Sequence, residues 1–127
     1  MQSILFVTPD LNLCASMLML FNNRYNVTTT TNFAQAKSIL RSGRFDLVVL
    51  DSEPNDLIEG ICQEIGEQPH FVPTILTYVY TSKYKEREQK IRNLVNAIFY
   101  KPFELSEVTD SIESLLRKTT TRQTATS

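Results

Sequence analysis

The sequence predicts an α/β domain built on a doubly wound parallel sheet. Three observations carry that reading. Short apolar, β-prone runs alternate with longer amphipathic stretches along almost the whole chain. The run at residues 4–7 and the run at 47–50 within the strand 45–50 are apolar without alternation, which marks strands buried on both faces. The connections between runs are short, and repeated strand–helix alternation with short loops places helices on both faces of a parallel sheet. Crossovers in such sheets are right-handed, and the ligand crevice lies beyond the carboxyl ends of the strands.

The elements follow in order. Residues 4–7 form the first strand, closed by Thr8-Pro9-Asp10. Residues 11–21, rich in Leu and Met, suit a helix that Asn22-Asn23 ends, with Asp10 able to cap its start. Residues 25–30 are β-branched and aromatic but polar, as on an edge strand. Asn32 caps a second helix with Phe33, Ala36, Ile39 and Leu40 on one face, stopped by Ser42-Gly43. After the strand at 45–50 comes a loop over 52–56 containing Pro54. A helix over 57–65 follows, weakened by Gly60. Pro69 and Pro73 bracket a loop that leads into a β-prone run at 74–80. Ser82 is expected to cap a highly charged helix with Tyr84, Ile91, Leu94 and Val95 on its apolar face. Residues 97–100 form the last strand. Leu105, Val108, Ile112 and Leu115 give the final helix an apolar stripe. The chain thus reads as one domain over 1–117. The polar, Thr-rich segment 118–127 reads as a tail or linker without secondary structure.

Composition narrows the function. The chain has 127 residues and a formal net charge of −1, with acids and bases mixed. No basic patch argues for nucleic acid or an anionic membrane. No run reaches membrane-spanning length, and the start lacks the basic region of a secretory signal. Cys14 and Cys62 sit in apolar helical patterns and read as buried free thiols of a reducing, cytoplasmic setting. With three glycines and no Gly-rich phosphate loop, a nucleotide-binding enzyme has little support. His70 stands alone beside Pro69 and reads as an exposed loop residue.

The chemistry gathers at strand ends. Asp51 closes the run Leu47-Val48-Val49-Leu50, and Lys101-Pro102-Phe103 follows the last strand. In a parallel sheet these ends converge, so one carboxylate and one ammonium are expected to meet there, next to Thr8-Pro9-Asp10.

With these residues in place, the sequence resembles the receiver domain of two-component response regulators (the CheY-like family). The likeness covers about residues 2–117. It rests on residues 45–51, Ala36, Pro73 and Lys101-Pro102-Phe103-Glu104-Leu105. The resemblance implies a flavodoxin-like fold with five strands in the order 2-1-3-4-5 and five helices. It implies that Asp51 is the phosphoacceptor, that Lys101 pairs with the phosphoryl oxygens through a lysine whose bond to Pro102 is cis, and that Mg²⁺ assists. Phosphoryl transfer needs an in-line nucleophile and cations to take up the spreading charge.

The sequence departs from that family at four places. The two adjacent acids that would help Asp51 hold Mg²⁺ are replaced by Thr8 and Pro9. Asp10 and the backbone carbonyl of Glu53 are the remaining candidate ligands, so weak metal binding is expected. The hydroxyl at the end of the fourth strand falls on Tyr78 by gapless counting or on Thr77 one residue earlier, and only one of the two can face the site. Either choice narrows access, with Val79 or Tyr78 at the entrance. Ile98 occupies the place of an aromatic switch residue, and the loop before Pro54 is one residue short.

Two functions therefore stand side by side. One is a non-enzymatic phosphorelay receiver serving a sensor histidine kinase or phosphotransfer protein. The other is a phosphorylation-independent pseudo-receiver that binds protein partners, or a second copy of itself, through the face formed by residues 82–116. On that face Lys83, Lys85, Glu86, Arg87, Glu88 and Lys90 read as a solvated charge run.

Overall fold

In the computed structural model, which describes residues 1–126 and the side chains of residues 1–118, the chain forms one five-stranded parallel sheet. The strands are β1 (Ser3–Val7), β2 (Asn26–Thr30), β3 (Leu47–Asp51), β4 (Thr74–Tyr78) and β5 (Ala97–Tyr100). Their spatial order is β2-β1-β3-β4-β5, as the resemblance implies. The helices are α1 (Leu11–Phe21), α2 (Ala36–Ser42), α3 (Asp56–Gly66), α4 (Lys85–Ile91) and α5 (Leu105–Thr126). No helix among the described residues is long and apolar enough to cross a membrane.

Alternation along the strands sorts the core into two layers. Leu5, Val7, Val48, Leu50 and Leu76 pack with α2, α3 and Ile91 of α4. Ile4, Phe6, Leu47, Val49 and Ile75 pack with Met17 and Phe21 of α1 and with Val108, Ile112 and Leu116 of α5. The central strands β3 and β4 are buried along their whole length, which is why their sequences do not alternate. Polar β2 lies at one edge, as its composition predicts.

The caps explain most of the element starts. Asp10 accepts from the backbone N–H of Asn12 and Leu13, and Asn55 accepts from that of Ile58. Asn32 accepts from Ala34 and opens a short 3₁₀ turn (Phe33–Gln35) before α2. Ser82 does not cap the charged helix. A 3₁₀ turn (Ser82–Tyr84) precedes α4, and Thr81 stands at its cap position without a side-chain bond. The fourth strand stops at Tyr78 and leaves Val79 and Tyr80 exposed. Leu94 lies beyond α4 and is exposed, so it is not part of that helix's buried face.

At the C-terminus the helical backbone runs on to Thr126, through the segment read from sequence as an unstructured tail. Leu116 is the last core residue of α5, and the side chains from 119 onward lie outside the described ones. His70 is half-buried rather than exposed, and its Nε2 meets the Phe45 carbonyl at 2.8 Å. Cys14 and Cys62 are buried and free, and burial pushes the Cys62 thiol up to about 12.

Candidate functional site

Strand register builds the site. Val7 of β1 pairs with Leu50 of β3, so the next residues, Thr8 and Asp51, come side by side. Asp51 itself pairs with Thr77 of β4. Thr77 pairs with Phe99 of β5, and Lys101 lies two residues beyond on the same face. Thr8, Asp51, Thr77 and Lys101 therefore share one face of the sheet at the carboxyl ends of four adjacent strands.

Asp51 is only 4% exposed, and both its oxygens are engaged. Oδ2 accepts from the Thr8 hydroxyl at 2.6 Å and from Lys101 Nζ at 3.0 Å. Oδ1 accepts from the Thr77 hydroxyl at 2.8 Å and also stands 2.9 Å from Lys101 Nζ. Thr8 is engaged both as donor and as acceptor, because its Oγ1 also accepts from the Asp10 N–H at 3.1 Å. The Lys101–Pro102 peptide is cis. Among the described residues no buried side-chain nitrogen or oxygen lacks a partner.

The structure brings together Asp51, Lys101 and Thr77 and adds Thr8 as a direct partner. Thr77, not Tyr78, faces Asp51. Gapless counting fails here because the register sets Thr77 opposite Asp51, and the next residue must then face the other way. The Tyr78 ring is buried in the opposite layer and its hydroxyl donates to Glu88. Asp10 does not turn inward. It is exposed, and its carboxylate is spent on the start of α1. The Glu53 carbonyl accepts from the Ser52 hydroxyl at 3.1 Å. Ile98 is partly buried against the α2–α4 layer. Among the described residues no group of three or more His, Cys, Asp or Glu side chains stands ready to hold a metal ion.

An open cavity of about 480 Å³ lies over the site, lined by Pro9, Asp51, Glu53, Val79, Lys83 and Lys101 among others. Val79 is 60% exposed at this mouth.

A second polar cluster escaped the sequence reading. Glu88, placed there among solvated charges, is only 6% exposed. Its Oε1 accepts from the hydroxyls of Tyr78 and Tyr100, each at 2.6 Å, and its Oε2 from Arg92 at 3.0 Å. Burial pushes the Glu88 carboxyl up, but the bonds from Tyr100, Tyr78 and Arg92 outweigh it and hold it below the usual glutamate range. Burial, with the bond to Glu88, raises the Tyr78 and Tyr100 hydroxyls. Arg87 is not free either: it bridges to Asp56 and Glu59 of α3. The available signal was the Glu88–Arg92 spacing of four residues together with tyrosines at the ends of two neighbouring strands.

No family model and no curated protein matches the sequence. Solved structures do match its fold. A CheY-like response regulator receiver domain protein from Methanospirillum hungatei superposes with a TM-score of 0.81 at 18% identity, covering 96% of this chain and 98% of that one. The receiver domain of the TMAO respiratory system response regulator TorR gives 0.75 at 22% identity, covering 93% and 98%. The signal receiver domain of a histidine kinase from Syntrophus aciditrophicus gives 0.75 at 19% identity, covering 93% and 92%. Strand order, helix count and near-complete mutual coverage agree, and the chain has the fold of a response regulator receiver domain.

Proposed function

We propose that this chain is a receiver-type signalling module that acts through protein contacts and does not depend on phosphoryl transfer at Asp51. The observation that carries this reading is the state of the Asp51 carboxylate. Two hydroxyls and one ammonium already occupy its oxygens, and among the described residues no group of three or more His, Cys, Asp or Glu side chains gathers around it. Mg²⁺ requires near-octahedral oxygen ligands, with one or two carboxylates among them. Thr8 offers a neutral hydroxyl already in use, Pro9 offers no side-chain oxygen, and Asp10 caps α1. This donor set does not fit the ion. Attack on phosphorus would also require an Asp51 oxygen to give up a short hydrogen bond first. The module itself is not an enzyme, and its free buried thiols fit a cytoplasmic setting. Its partners are other proteins or a second copy, met through the face formed by residues 82–116.

Incubation with acetyl phosphate and Mg²⁺, followed by intact-mass measurement, tests this. The expected result is no added phosphoryl group. A gain that Asp51→Asn abolishes would overturn the reading.

One observation favours the alternative of a slow phosphoacceptor fed by a sensor histidine kinase or phosphotransfer protein. The Asp51–Lys101 pair opens onto a cavity roomy enough for a phosphodonor. The same measurement decides between the two.

A further inference from the structure

We propose that Glu88 latches α4 onto the ends of β4 and β5, and that this latch holds the helix in place independently of Asp51. The independence rests on the phosphate-free reading above; the latch rests on geometry alone.

Helix α4 has seven residues, too few to be stable by itself. Only Ile91 and Glu88 of the helix are buried, so apolar burial gives it a single anchor. The rest of its attachment is polar. Arg87 bridges to α3 from a partly exposed position, where ion pairs contribute little. Glu88 differs. Its carboxylate collects three donors, two of them hydroxyls from the paired residues Tyr78 and Tyr100 of neighbouring strands. The third, Arg92, also donates to the Tyr100 hydroxyl at 3.2 Å. Charge-assisted bonds of this kind are stronger than neutral ones, and a buried carboxylate that loses a donor suffers the whole desolvation cost. The rings reinforce the arrangement. Tyr78 meets Tyr84 and Tyr100 edge to face, with centroids 5.6 and 5.7 Å apart.

Alternation separates this cluster from the site. Thr77 and Lys101 face Asp51, whereas their neighbours Tyr78 and Tyr100 face Glu88. Among the described residues no hydrogen bond or ion pair joins a side chain of one cluster to a side chain of the other. The polar connection is backbone, including the Lys101 N–H to the Tyr78 carbonyl at 2.9 Å, while Tyr78 and Tyr84 also line the cavity over Asp51 without bonding to it. No aromatic ring at Ile98 bridges them.

Amide hydrogen exchange at neutral pH tests the latch. In Glu88→Gln, the amides of α4 are expected to exchange on the order of tenfold faster, the effect of losing one charged hydrogen bond. Tyr100→Phe removes one hydroxyl from a residue 40% exposed, so the fold survives, and α4 is expected to exchange about threefold to tenfold faster. Amides of β1 and β3 should lose no more protection in either variant than the fall in global stability read by urea unfolding, and Asp51→Asn should leave α4 unchanged. Unchanged α4 exchange in the Glu88 and Tyr100 variants, or wild-type α4 amides that open only with global unfolding, would overturn the latch. Faster α4 exchange in Asp51→Asn overturns its independence. Phosphoryl uptake by the wild-type chain with α4 protection retained would remove the proposed function and leave the latch standing.

Discussion

A carboxylate as deeply buried as Asp51 needs donors to replace the water it has lost. Thr8, Thr77 and Lys101 do so, which makes the site a tie between four strand ends as much as a place for chemistry. The sign of a stability change tests this. Where several acids crowd together, removing one relieves repulsion and stabilises the fold. Here Asp51→Ala is expected to destabilise by about 2–3 kcal/mol, below the range for a fully buried pair because Lys101 keeps 32% of its side chain exposed. Thr8→Val keeps the shape, takes one donor from Asp51 and one acceptor from the Asp10 N–H, and should cost about 1–2 kcal/mol. Urea unfolding reads both, and a gain in stability from Asp51→Ala would contradict the picture. Asp51 and Lys101 were legible in the sequence because one ends a strand and the other follows directly on one, and strand ends converge in this fold class. The choice between Thr77 and Tyr78 was not, because a period of two gives opposite answers for neighbouring residues until pairing with β3 fixes the register. Asp10 offered both a cap and a ligand, and the unpaired N–H groups at the start of α1 claim it.

Among the elements, α1 could be read off the sequence to the residue, since a strand-closing proline precedes it and two asparagines follow it. Helix α4 was misjudged for a physical reason. A dense charge run reads as solvent-facing, and nothing local says that one of its acids is buried against tyrosines from strands whose pairing is tertiary. The Glu88 cluster gives the domain a pH signature. The folded carboxyl lies below its ordinary value of 4.5, so near and below that value the unfolded chain binds more protons than the folded one. The stabilisation is therefore complete above the ordinary value and is lost as pH falls through the lower, folded one. The stability gap between wild type and Glu88→Gln should shrink as pH falls below the ordinary value of 4.5, as measured by urea unfolding at each pH. Helix α3 offers the opposite kind of change. A Cβ on Gly60 would meet only the flexible end of Lys37, with Nζ at 2.9 Å, which can swing aside. Gly60→Ala should therefore stabilise the domain by about 0.5–1 kcal/mol through helix propensity, seen as a higher urea midpoint with an unchanged slope.

At the level of the whole molecule, the sheet divides the domain into two layers that touch mainly through strand backbones. Helices α2, α3 and α4 pack on one face, and α1 and α5 on the other. The polar clusters obey the same division, with Asp51 on the α1–α5 side of the strand ends and Glu88 on the α4 side. If each face is packed independently, conservative cavities in the two layers should not sense one another. Ile61 of α3 and Ile112 of α5 are both fully buried, one in each layer, and belong to no common cluster. Ile61→Val and Ile112→Val should each cost about 0.5–1.5 kcal/mol, small enough for the double variant to fold. Their effects should add to within about 0.5 kcal/mol in urea unfolding, as for distant sites without shared partners. A coupling well beyond that would mean that the sheet transmits packing strain between its faces, and a change at Asp51 would then have a mechanical route to α4 that side-chain contacts do not provide.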